Sequence, residues 1–362
     1  MMEFDCFRHK KVLITGHTGF KGSWLAKWLE MLGAETYGIS LESDTQPNHY
    51  DLLNLSIHST ILDIRDFKKL KSVLNEINPD IIFHLAAQPL VRQSYQDPLG
   101  TFATNVMGTA NILNSSRELK NLKAVIVITT DKCYENKEID CAYQETDPLG
   151  GYDPYSASKG CAELVVSSFR NSFFNLENYG KTHQVLIASA RAGNVVGGGD
   201  WAKDRLIPDI VRAVVKGETV NIRNPKATRP WQHVLDCLSG YLCLAEKLFL
   251  GEKSFASAWN FAPQNDGIAV LEIVKLMQDE WPKINYQIEK NHLHPHEAHL
   301  LKLDSTKANT RLKWQTVLSL PETIKITADW YRDFYEKQKI NTFEDIQSYV
   351  EKARKQLLTW CK

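Results

Sequence analysis

From Lys11 onward, short runs of β-branched and apolar residues alternate with longer segments whose apolar residues recur every three to four positions. The short runs predict buried strands, and the longer segments predict helices with one apolar face. The predicted strands are Val12–Thr15, Glu35–Ile39, Thr60–Leu62, Ile81–Leu85, Ala124–Thr129 and Val185–Ala190. The predicted helices between them are Trp24–Leu32, Phe67–Glu76, Thr101–Leu119 and Pro154–Phe173. This alternation is typical of the α/β class and predicts a Rossmann-type doubly wound parallel sheet.

After Arg191 the pattern changes to loops rich in Gly, Pro and Trp with shorter helices. We expect a dinucleotide-binding domain over 1–190, a smaller mixed α/β substrate domain over 191–345, and a C-terminal helical tail over 346–362. Segments near 232–262 are expected to return to the first domain, so that the two domains interleave. The shorter helices are predicted near Ile207–Val215, Val234–Phe249 and Val270–Trp281.

Composition narrows the class of partner. Among the 362 residues, Lys plus Arg and Asp plus Glu both number 43, so the charge gives no reason to expect nucleic acid or an anionic membrane. The seven cysteines form no C-x-x-C pair, which favours reduced structural thiols and argues against a metal site. No apolar run approaches the ~18 residues of a membrane span, and no signal-peptide core is present. We therefore expect a cytoplasmic protein.

The segment Val12–Gly22 carries three glycines at a spacing of three, directly after a predicted strand and before a predicted helix. Here Gly16 makes the tight turn, Gly19 lets the backbone approach a pyrophosphate, and Gly22 permits close packing of helix on sheet. A lone glycine triplet indicates an ordinary turn, but this position predicts a dinucleotide site. The residues expected to hold the cofactor are Gly16, Thr18, Gly19, Phe20, Lys21 and Gly22.

Further cofactor contacts are expected where other strands end. Asp63 and Ile64 follow the third strand, where the adenine would lie. The remaining candidates, at and beyond the end of the fourth strand, are Leu85, Ala86, Ala87, Gln88 and Asn105. The second strand ends without the usual acidic residue for the adenosine ribose; Glu42 is a candidate substitute, although a solvated loop carboxylate is at least as good an interpretation. Because no Arg stands there for a 2′-phosphate, the sequence favours NAD over NADP.

Two groups of residues predict the chemistry. Tyr155 and Lys159 are four residues apart and share one face of a helix, where the ammonium is expected to lower the pKa of the phenol. Tyr155 would then accept the proton of a sugar hydroxyl while a hydride leaves the same carbon. At the carboxyl end of the fifth strand lie Thr130, Asp131 and Lys132. Thr130 can donate a hydrogen bond, while Asp131 and Lys132 form a neighbouring acid and base, which simple alcohol oxidation does not need. The alternative is a turn with a surface ion pair.

Seven blocks of the chain carry a recognisable likeness. They are 16–24 (GHTGFKGSW), 86–92 (AAQPLVR), 130–134 (TDKCY), 150–156 (GGYDPYS), 191–201 (RAGNVVGGGDW), 229–234 (RPWQHV) and 294–299 (HPHEAH). Together they resemble the CDP-glucose 4,6-dehydratases of the extended short-chain dehydrogenase/reductase class. Relatives that act on dTDP-glucose or GDP-mannose have Glu after the Thr-Asp pair, whereas this chain has Lys132, which favours the CDP-sugar branch.

The resemblance implies a redox-neutral reaction in deoxysugar biosynthesis that uses NAD. Tyr155, with Thr130 and Lys159, would oxidise C4 of CDP-glucose to a ketone. Lys132 would then remove the C5 proton while Asp131 protonates the departing C6 hydroxyl. Hydride return to C6 gives CDP-4-keto-6-deoxyglucose.

The substrate diphosphate needs cations, which arginines can supply. For any one arginine, the alternative interpretation is a surface salt bridge. The expected substrate contacts are Gln88, Asn194, Arg205 and Arg229, with Arg92 a weaker candidate. Trp201, Trp231 and Tyr152 pack either the nucleotide or the core. The histidines at 292, 294, 296 and 299 with Glu297 match no standard metal motif, so no metal is expected.

Two rival interpretations stay open. Another enzyme of the superfamily, a 4-epimerase or decarboxylase, would share Tyr155 and Lys159, but an epimerase has no need of Asp131 and Lys132. A dinucleotide-sensing protein without turnover typically loses the tyrosine or the lysine. The helices that start near Thr101 and Pro154 are the surfaces that pair in related proteins, which predicts a homodimer.

Overall fold

A seven-stranded parallel sheet forms the centre of the computed structural model, which describes residues 4–263, 267–289 and 300–361. Its strands are β1 (Lys11–Thr15), β2 (Glu35–Ser40), β3 (His58–Ile61), β4 (Ile81–His84), β5 (Ala124–Ile128), β6 (Leu186–Ala192) and β7 (Ala258–Phe261). Their order across the sheet is β7-β6-β5-β4-β1-β2-β3, and every neighbouring pair is parallel. The strand order reverses between β1 and β4, which opens a crevice at the carboxyl ends of the strands. The predicted fold class is confirmed.

Helices cover both faces of the sheet. They are α1 (Phe20–Met31), α2 (His49–Leu53), α3 (Phe67–Ile77), α4 (Val91–Gln96), α5 (Pro98–Phe102), α6 (Gly108–Ser116), α7 (Pro154–Ser172), α8 (Leu206–Lys216), α9 (Val234–Phe249), α10 (Val270–Glu280), α11 (Leu320–Lys337) and α12 (Thr342–Lys355). The helix predicted over Thr101–Leu119 is interrupted: a π-helical turn at Ala103–Met107 separates α5 from α6. Within the described ranges, no helix is long and apolar enough to cross a bilayer.

Four pairs of short strands lie outside the sheet. They join Ala142–Tyr143 to Lys302–Leu303, Val195–Val196 to Gln232–His233, Thr219–Ile222 to Asn285–Ile288, and Thr228–Arg229 to Ile268–Ala269. The last three pairs lie around α8 and α9, in the part of the chain that follows β6. They therefore shape the loops that face the crevice.

Alternating side chains of the strands build two cores. On β1, Val12 and Ile14 pack into one core, whereas Leu13 packs into the other. Helix α9 lies in the first core with most of its residues buried. Strands buried on both faces have near-continuous apolar runs, which is why they were visible in the sequence.

The chain returns twice to the sheet after the crevice loops. Both returns fall in the segment near 232–262 that was expected to return: β7 pairs with β6 as the seventh strand, and α9 packs against β5 and β6. The C-terminal segment also packs on the first part of the chain: Tyr349 and Trp360 both make edge contacts with Trp28 of α1.

A buried carboxyl group ties α9 to this C-terminal segment. Asp236 is almost fully buried, and its Oδ1 accepts hydrogen bonds from the Val317 amide (2.6 Å) and the Tyr349 hydroxyl (2.9 Å). Its Oδ2 has no hydrogen-bond partner among the described residues. Burial therefore raises the pKa of Asp236 to about 7.

The raised pKa makes the contribution of Asp236 to stability depend on pH. Because the folded chain holds this proton more tightly than the unfolded chain, the stabilisation is full below about pH 4 and is lost as pH rises towards 7. Asp236→Asn keeps the acceptor oxygen without the charge. Its melting temperature relative to wild type should therefore rise between pH 4 and 7, by about 2 °C or more.

Asp236→Ala is the contrasting variant, because it leaves the Val317 amide and the Tyr349 hydroxyl without their acceptor. It should lower the melting temperature at every pH. A constant difference between Asp236→Asn and wild type from pH 4 to 8 would contradict the assignment.

Candidate active site

A cleft of about 1350 Å³ opens at the carboxyl ends of β1, β4, β5 and β6. The glycine-rich turn after β1 and the residues after β4 line one side. The opposite side is lined by the loops before and after α8 and by Arg229. This is the crevice that the strand order predicts.

The glycine-rich turn brings the backbone close to β4 and α1. Gly16 has a φ of +78°, and a Cβ there would lie 2.8 Å from the Ala86 amide nitrogen. A Cβ on Gly22 would lie 2.1 Å from the Gly16 carbonyl oxygen. Gly19 is the N-cap of α1 and has no side chain with which to cap the helix. The uncapped N-terminal end of α1 faces the cleft. This cradle fits a pyrophosphate, because free backbone amides and the helix dipole both favour an anion.

Most of the other predicted cofactor residues also line the cleft. They are Thr18, Phe20, Lys21, Asp63, Ile64, Leu85, Ala86 and Ala87. Thr18 links the turn to the end of β2, since its hydroxyl donates to the Leu41 carbonyl (2.9 Å) and lies 2.7 Å from the Ser40 hydroxyl. Glu42 lines the cleft beyond β2. Asp63 forms an ion pair with Arg65, which lowers its pKa.

Gln88 and Asn105 are not among the residues that line the cleft, and their expected ligand contacts stay predictions. The side-chain amide of Gln88 donates to the Thr101 hydroxyl and to the Leu90 carbonyl, and its oxygen accepts from the Leu90 amide. Asn105 is fully buried and holds the backbone of Gln88 through both its amide atoms. Both side chains are therefore used to shape the loop after β4. Residue type and position alone do not reveal this.

Tyr155 and Lys159 lie in the first two turns of α7, which begins at Pro154. The Asp153 side chain caps this helix by accepting from the Ser156 amide (3.0 Å). Both side chains are buried and line the cleft. The Lys159 ammonium donates to the Ile128 carbonyl at the end of β5 (3.1 Å). The helix thus fixes both groups against the carboxyl edge of the sheet.

Tyr155 does not have the lowered pKa that its neighbour Lys159 led us to expect. Burial raises the pKa of Tyr155 to about 12, although a hydrogen bond with Thr130 and the charge of Arg205 act in the opposite direction. Burial, followed by repulsion from Lys21, lowers the pKa of Lys159 to about 8. Desolvation is the largest cause of both shifts, and it disfavours the charged form of each group.

Thr130, Asp131 and Lys132 follow β5 directly and line the same cleft. The Thr130 hydroxyl donates to Asp131 Oδ1 (2.9 Å), and Lys132 Nζ lies 4.0 Å from that oxygen. Asp131 is 1 % exposed, and its Oδ2 has no hydrogen-bond partner among the described residues. Because the pair lies in the cleft and Asp131 is buried, the alternative of a surface ion pair does not apply. The cleft is therefore bordered by a buried carboxyl group with one unpartnered oxygen.

Arginines and aspartates alternate on the side of the cleft opposite the glycine turn. Arg205 pairs with Asp200 (2.9 Å), and Arg92 pairs with Asp204 (3.4 Å). Asn194 and the buried Arg229 also line this side.

Two further arginines of the cleft were missed from the sequence. Arg212 pairs with Asp209, and Arg223 pairs with Asp204 (3.2 Å). The available signal was the run of Asp and Arg residues between 200 and 223. These arginines lie in α8 and beside the strand Thr219–Ile222, at positions that only the folded chain brings to the cleft.

The aromatic candidates divide into two kinds. Trp201 and Trp231 are buried and belong to the core that they border; the Trp201 ring contacts Trp330, and its Nε1 donates to the Tyr335 hydroxyl. Tyr152 lines the cleft and is 78 % exposed. The histidines at 292, 294, 296 and 299 and Glu297 lie outside the described residues. Among the described residues, no group of three potential metal ligands occurs.

This arrangement can move protons and stabilise anions in one enclosed space. A phenol, a hydroxyl, a carboxyl group and two ammonium groups lie along the edge of the sheet, with an anion cradle on one side and arginines on the other. Such a set suits a substrate that carries a diphosphate and whose oxygen and carbon atoms exchange protons.

Comparison with known proteins places the chain among nucleotide-sugar enzymes. The family model described as GDP-mannose 4,6 dehydratase matches residues 13–327. The chain is 50% identical to a CDP-glucose 4,6-dehydratase of Salmonella typhimurium over 92% of its own length and 93% of the relative's. It is 25% identical to a UDP-glucose 4-epimerase of Mycoplasma pneumoniae over 90% and 98% of the two chains.

Solved structures share the fold at lower identity. The UDP-glucose 4-epimerase of Thermotoga maritima, solved with UDP-glucose, superposes with a TM-score of 0.77 at 22% identity and covers 91% of this chain and 100% of its own. The UDP-glucuronic acid 4-epimerase of Bacillus cereus, solved with UDP-glucuronic acid and NAD, gives 0.74 at 23% identity, with 90% and 100% covered. By the family match and the 50% identity, the chain belongs to the GDP-mannose 4,6-dehydratase family of nucleotide-sugar enzymes.

Proposed function

We propose that this chain is a CDP-glucose 4,6-dehydratase, which converts CDP-D-glucose to CDP-4-keto-6-deoxy-D-glucose and water with bound NAD. The observation that carries the proposal is the placement of Asp131 and Lys132 in the same cleft as Tyr155 and Lys159. The 50% identity to a CDP-glucose 4,6-dehydratase over nearly the whole chain supports the choice of substrate.

The glycine turn and the end of β2 support NAD as the cofactor. Gly16, Gly19 and Gly22 form the cradle for the pyrophosphate, and Asp63 and Ile64 border the adenine end. The carboxylate of Glu42 near the end of β2 disfavours a 2′-phosphate. When bound, NAD supplies an acceptor for the C4 hydride and returns that hydride to C6.

Oxidation at C4 needs a base for the hydroxyl proton. Tyr155 takes this proton, and Thr130 holds the same oxygen by a hydrogen bond. Because burial raises the pKa of Tyr155, its deprotonation depends on nearby positive charge. Arg205 lowers this pKa, and Lys159 lies one helical turn away on the same face of α7. We assign both cations to stabilising the phenolate.

Elimination of water follows from the C4 ketone, which acidifies the C5 proton. Lys132 removes this proton, Asp131 protonates the C6 hydroxyl, and the C6–O bond breaks as water leaves. The hydride then adds to C6, and Lys132 returns a proton to C5. The unpartnered Oδ2 of Asp131 supports its role as the acid, since this oxygen is buried and borders the cleft. A 4-epimerase needs no such pair, so its presence favours dehydration.

The arginines of the cleft support recognition of a diphosphate. Arg205 and Arg229 remain our choices for its direct contacts, with Asn194 beside the sugar. Arg205 is held by Asp200 at 2.9 Å, so a bound diphosphate would share or replace this carboxylate. The aspartates that pair with these arginines keep the arginines in place. The same aspartates offset the positive charge that this charge-balanced protein concentrates in the cleft.

The exposed faces of two helical segments support a homodimer in the cytoplasm. Leu99 on α5, Met107 in the π-helical turn and Leu164 on α7 are large apolar side chains that are more than half exposed. These segments contact one another, so their outer sides form one surface. A contiguous apolar surface of this kind is a typical isologous interface.

The compartment is inferred from the cysteines, because all seven are free thiols.

The proposed substrate is tested by incubation with CDP-glucose, dTDP-glucose and GDP-mannose, each with NAD. We expect a 4-keto product from CDP-glucose and at most about one-hundredth of that rate from the other two sugars, since a mismatched polar contact costs several kcal/mol. Product is measured by its keto chromophore and by mass spectrometry. Comparable turnover of all three sugars, or of another one alone, would contradict the proposal.

The role of Lys132 is tested with Lys132→Ala in deuterium oxide. Loss of the base should lower product formation about a hundredfold or more, with little deuterium at C5, while reduced nicotinamide still forms in a single turnover. Lys137→Ala is the matched control, because Lys137 is an exposed lysine on the same loop that does not line the cleft. It should behave as wild type. Near-normal deuterium incorporation at C5 by Lys132→Ala would show that another residue is the base.

A further inference from the structure

A chain of buried polar side chains runs behind the catalytic edge of the sheet. It consists of Glu163, Arg191, Tyr134 and Asn260, which are all at most 4 % exposed, and we call it the buried polar chain. Glu163 on α7 forms an ion pair with Arg191 at the end of β6 (2.8 Å). Arg191 donates to the Tyr134 hydroxyl (2.7 Å), and this hydroxyl donates to Asn260 Oδ1 on β7 (2.7 Å).

Each end of the buried polar chain is anchored by further hydrogen bonds. Glu163 also accepts from the hydroxyls of Thr129 and Ser189, and burial of the ion pair is thereby compensated. Asn260 donates to the carbonyls of Tyr143 and Asp304. The guanidinium of Arg191 also lies over the Tyr134 ring, 4.9 Å from its centroid. Although Arg191 Nε has no partner among the described residues, the other hydrogen bonds restrict the geometry of this network and so fix the relative positions of the elements that it joins.

The elements it joins are those that carry the proposed catalytic groups. Glu163 lies one helical turn beyond Lys159 on α7. Tyr134 directly follows the short helical turn Asp131–Cys133, which contains Asp131 and Lys132. None of the four side chains belongs to the acid–base set itself; Tyr134 borders the cleft, whereas Glu163, Arg191 and Asn260 are not among the residues that line it.

We propose that the buried polar chain positions the Asp131–Lys132 turn against α7, so that the groups that expel water stand in register with Tyr155 and Lys159. The proposal rests on the proposed function and assigns Tyr134 as a positioning residue for the elimination step. Hydride transfer at C4 uses Tyr155 and Lys159, which α7 holds without Tyr134, and takes from the turn only Thr130 at its N-cap. Elimination needs the turn, which Tyr134 holds to Arg191. The buried polar chain therefore affects elimination more than hydride transfer.

The test is Tyr134→Phe, which removes one hydroxyl and leaves the ion pair of Glu163 with Arg191. The matched control is Tyr143→Phe: Tyr143 is buried, stacks on Tyr134 at 5.2 Å and donates its hydroxyl to Asn136, outside the buried polar chain. In Tyr134→Phe, turnover of CDP-glucose should fall by about ten- to a hundredfold, as expected when catalytic groups are slightly misplaced. Reduced nicotinamide should accumulate during turnover, because C4 oxidation continues while elimination slows.

A merely structural role predicts a different result. It would lower the melting temperature and slow both steps equally, in Tyr134→Phe and Tyr143→Phe alike. Equal slowing of both steps, or unchanged turnover in Tyr134→Phe, would overturn the proposal.

A second measurement does not depend on the substrate. Amide hydrogen exchange of residues 130–135 should be faster in Tyr134→Phe than in wild type or Tyr143→Phe, since the turn loses its tie to Arg191. Unchanged exchange would overturn the positioning role even if the substrate were another nucleotide sugar. Failure of wild type to oxidise CDP-glucose, with the exchange result intact, would instead overturn only the proposed function.

Discussion

The cost of burying charge at the carboxyl edge of the sheet is the constraint on which the rest of the structure depends. Tyr155, Lys159 and Asp131 are all buried there, and desolvation opposes the charged forms of Tyr155 and Lys159. It raises the pKa of Tyr155 and lowers that of Lys159, so both groups are shifted towards their neutral forms. Proton transfer in such a site depends on the few neighbouring charges that the fold supplies.

The fold supplies these charges from both sides. Behind the edge, Glu163 and Arg191 form a buried pair, and the carboxylate of Glu163 acts to raise the pKa of Lys159. In front of the edge, the charge of Arg205 acts to lower the pKa of Tyr155 from the far side of the cleft. The solved epimerases share this architecture at about one-fifth identity, so the fold alone does not select the reaction. We attribute the difference in chemistry to Asp131 and Lys132, which only an elimination requires.

Strong local patterns in the sequence predicted the fold well. The six strands of the central sheet before residue 193 were placed to within two residues. The inner strands β4 and β5 are buried on both faces and leave continuous apolar runs bounded by turns. The glycine turn was found because close approach of backbone to backbone excludes any side chain at Gly16 and Gly22. Helix spacing likewise put Tyr155 and Lys159 on one face.

Properties that depend on contacts distant in sequence could not be predicted. Gln88 and Asn105 have side chains suited to a ligand, but each has hydrogen-bond partners within the protein, some of them 13 or more residues away. The pKa of Tyr155 depends on how much of the chain covers it, which no local pattern encodes. Arg212 and Arg223 reach the cleft only through the packing of α8 and its neighbouring strand. The π-helical turn before α6 has no signature in the spacing of apolar residues.

The central claim is that one cleft removes a hydride from C4 and returns the same hydride to C6. It is tested most directly with CDP-glucose that carries deuterium at C4, mixed with unlabelled substrate. We expect product with deuterium at C6 and no label transferred to unlabelled molecules, as measured by NMR and mass spectrometry. Product without deuterium at C6, or with the label still at C4, would contradict the account.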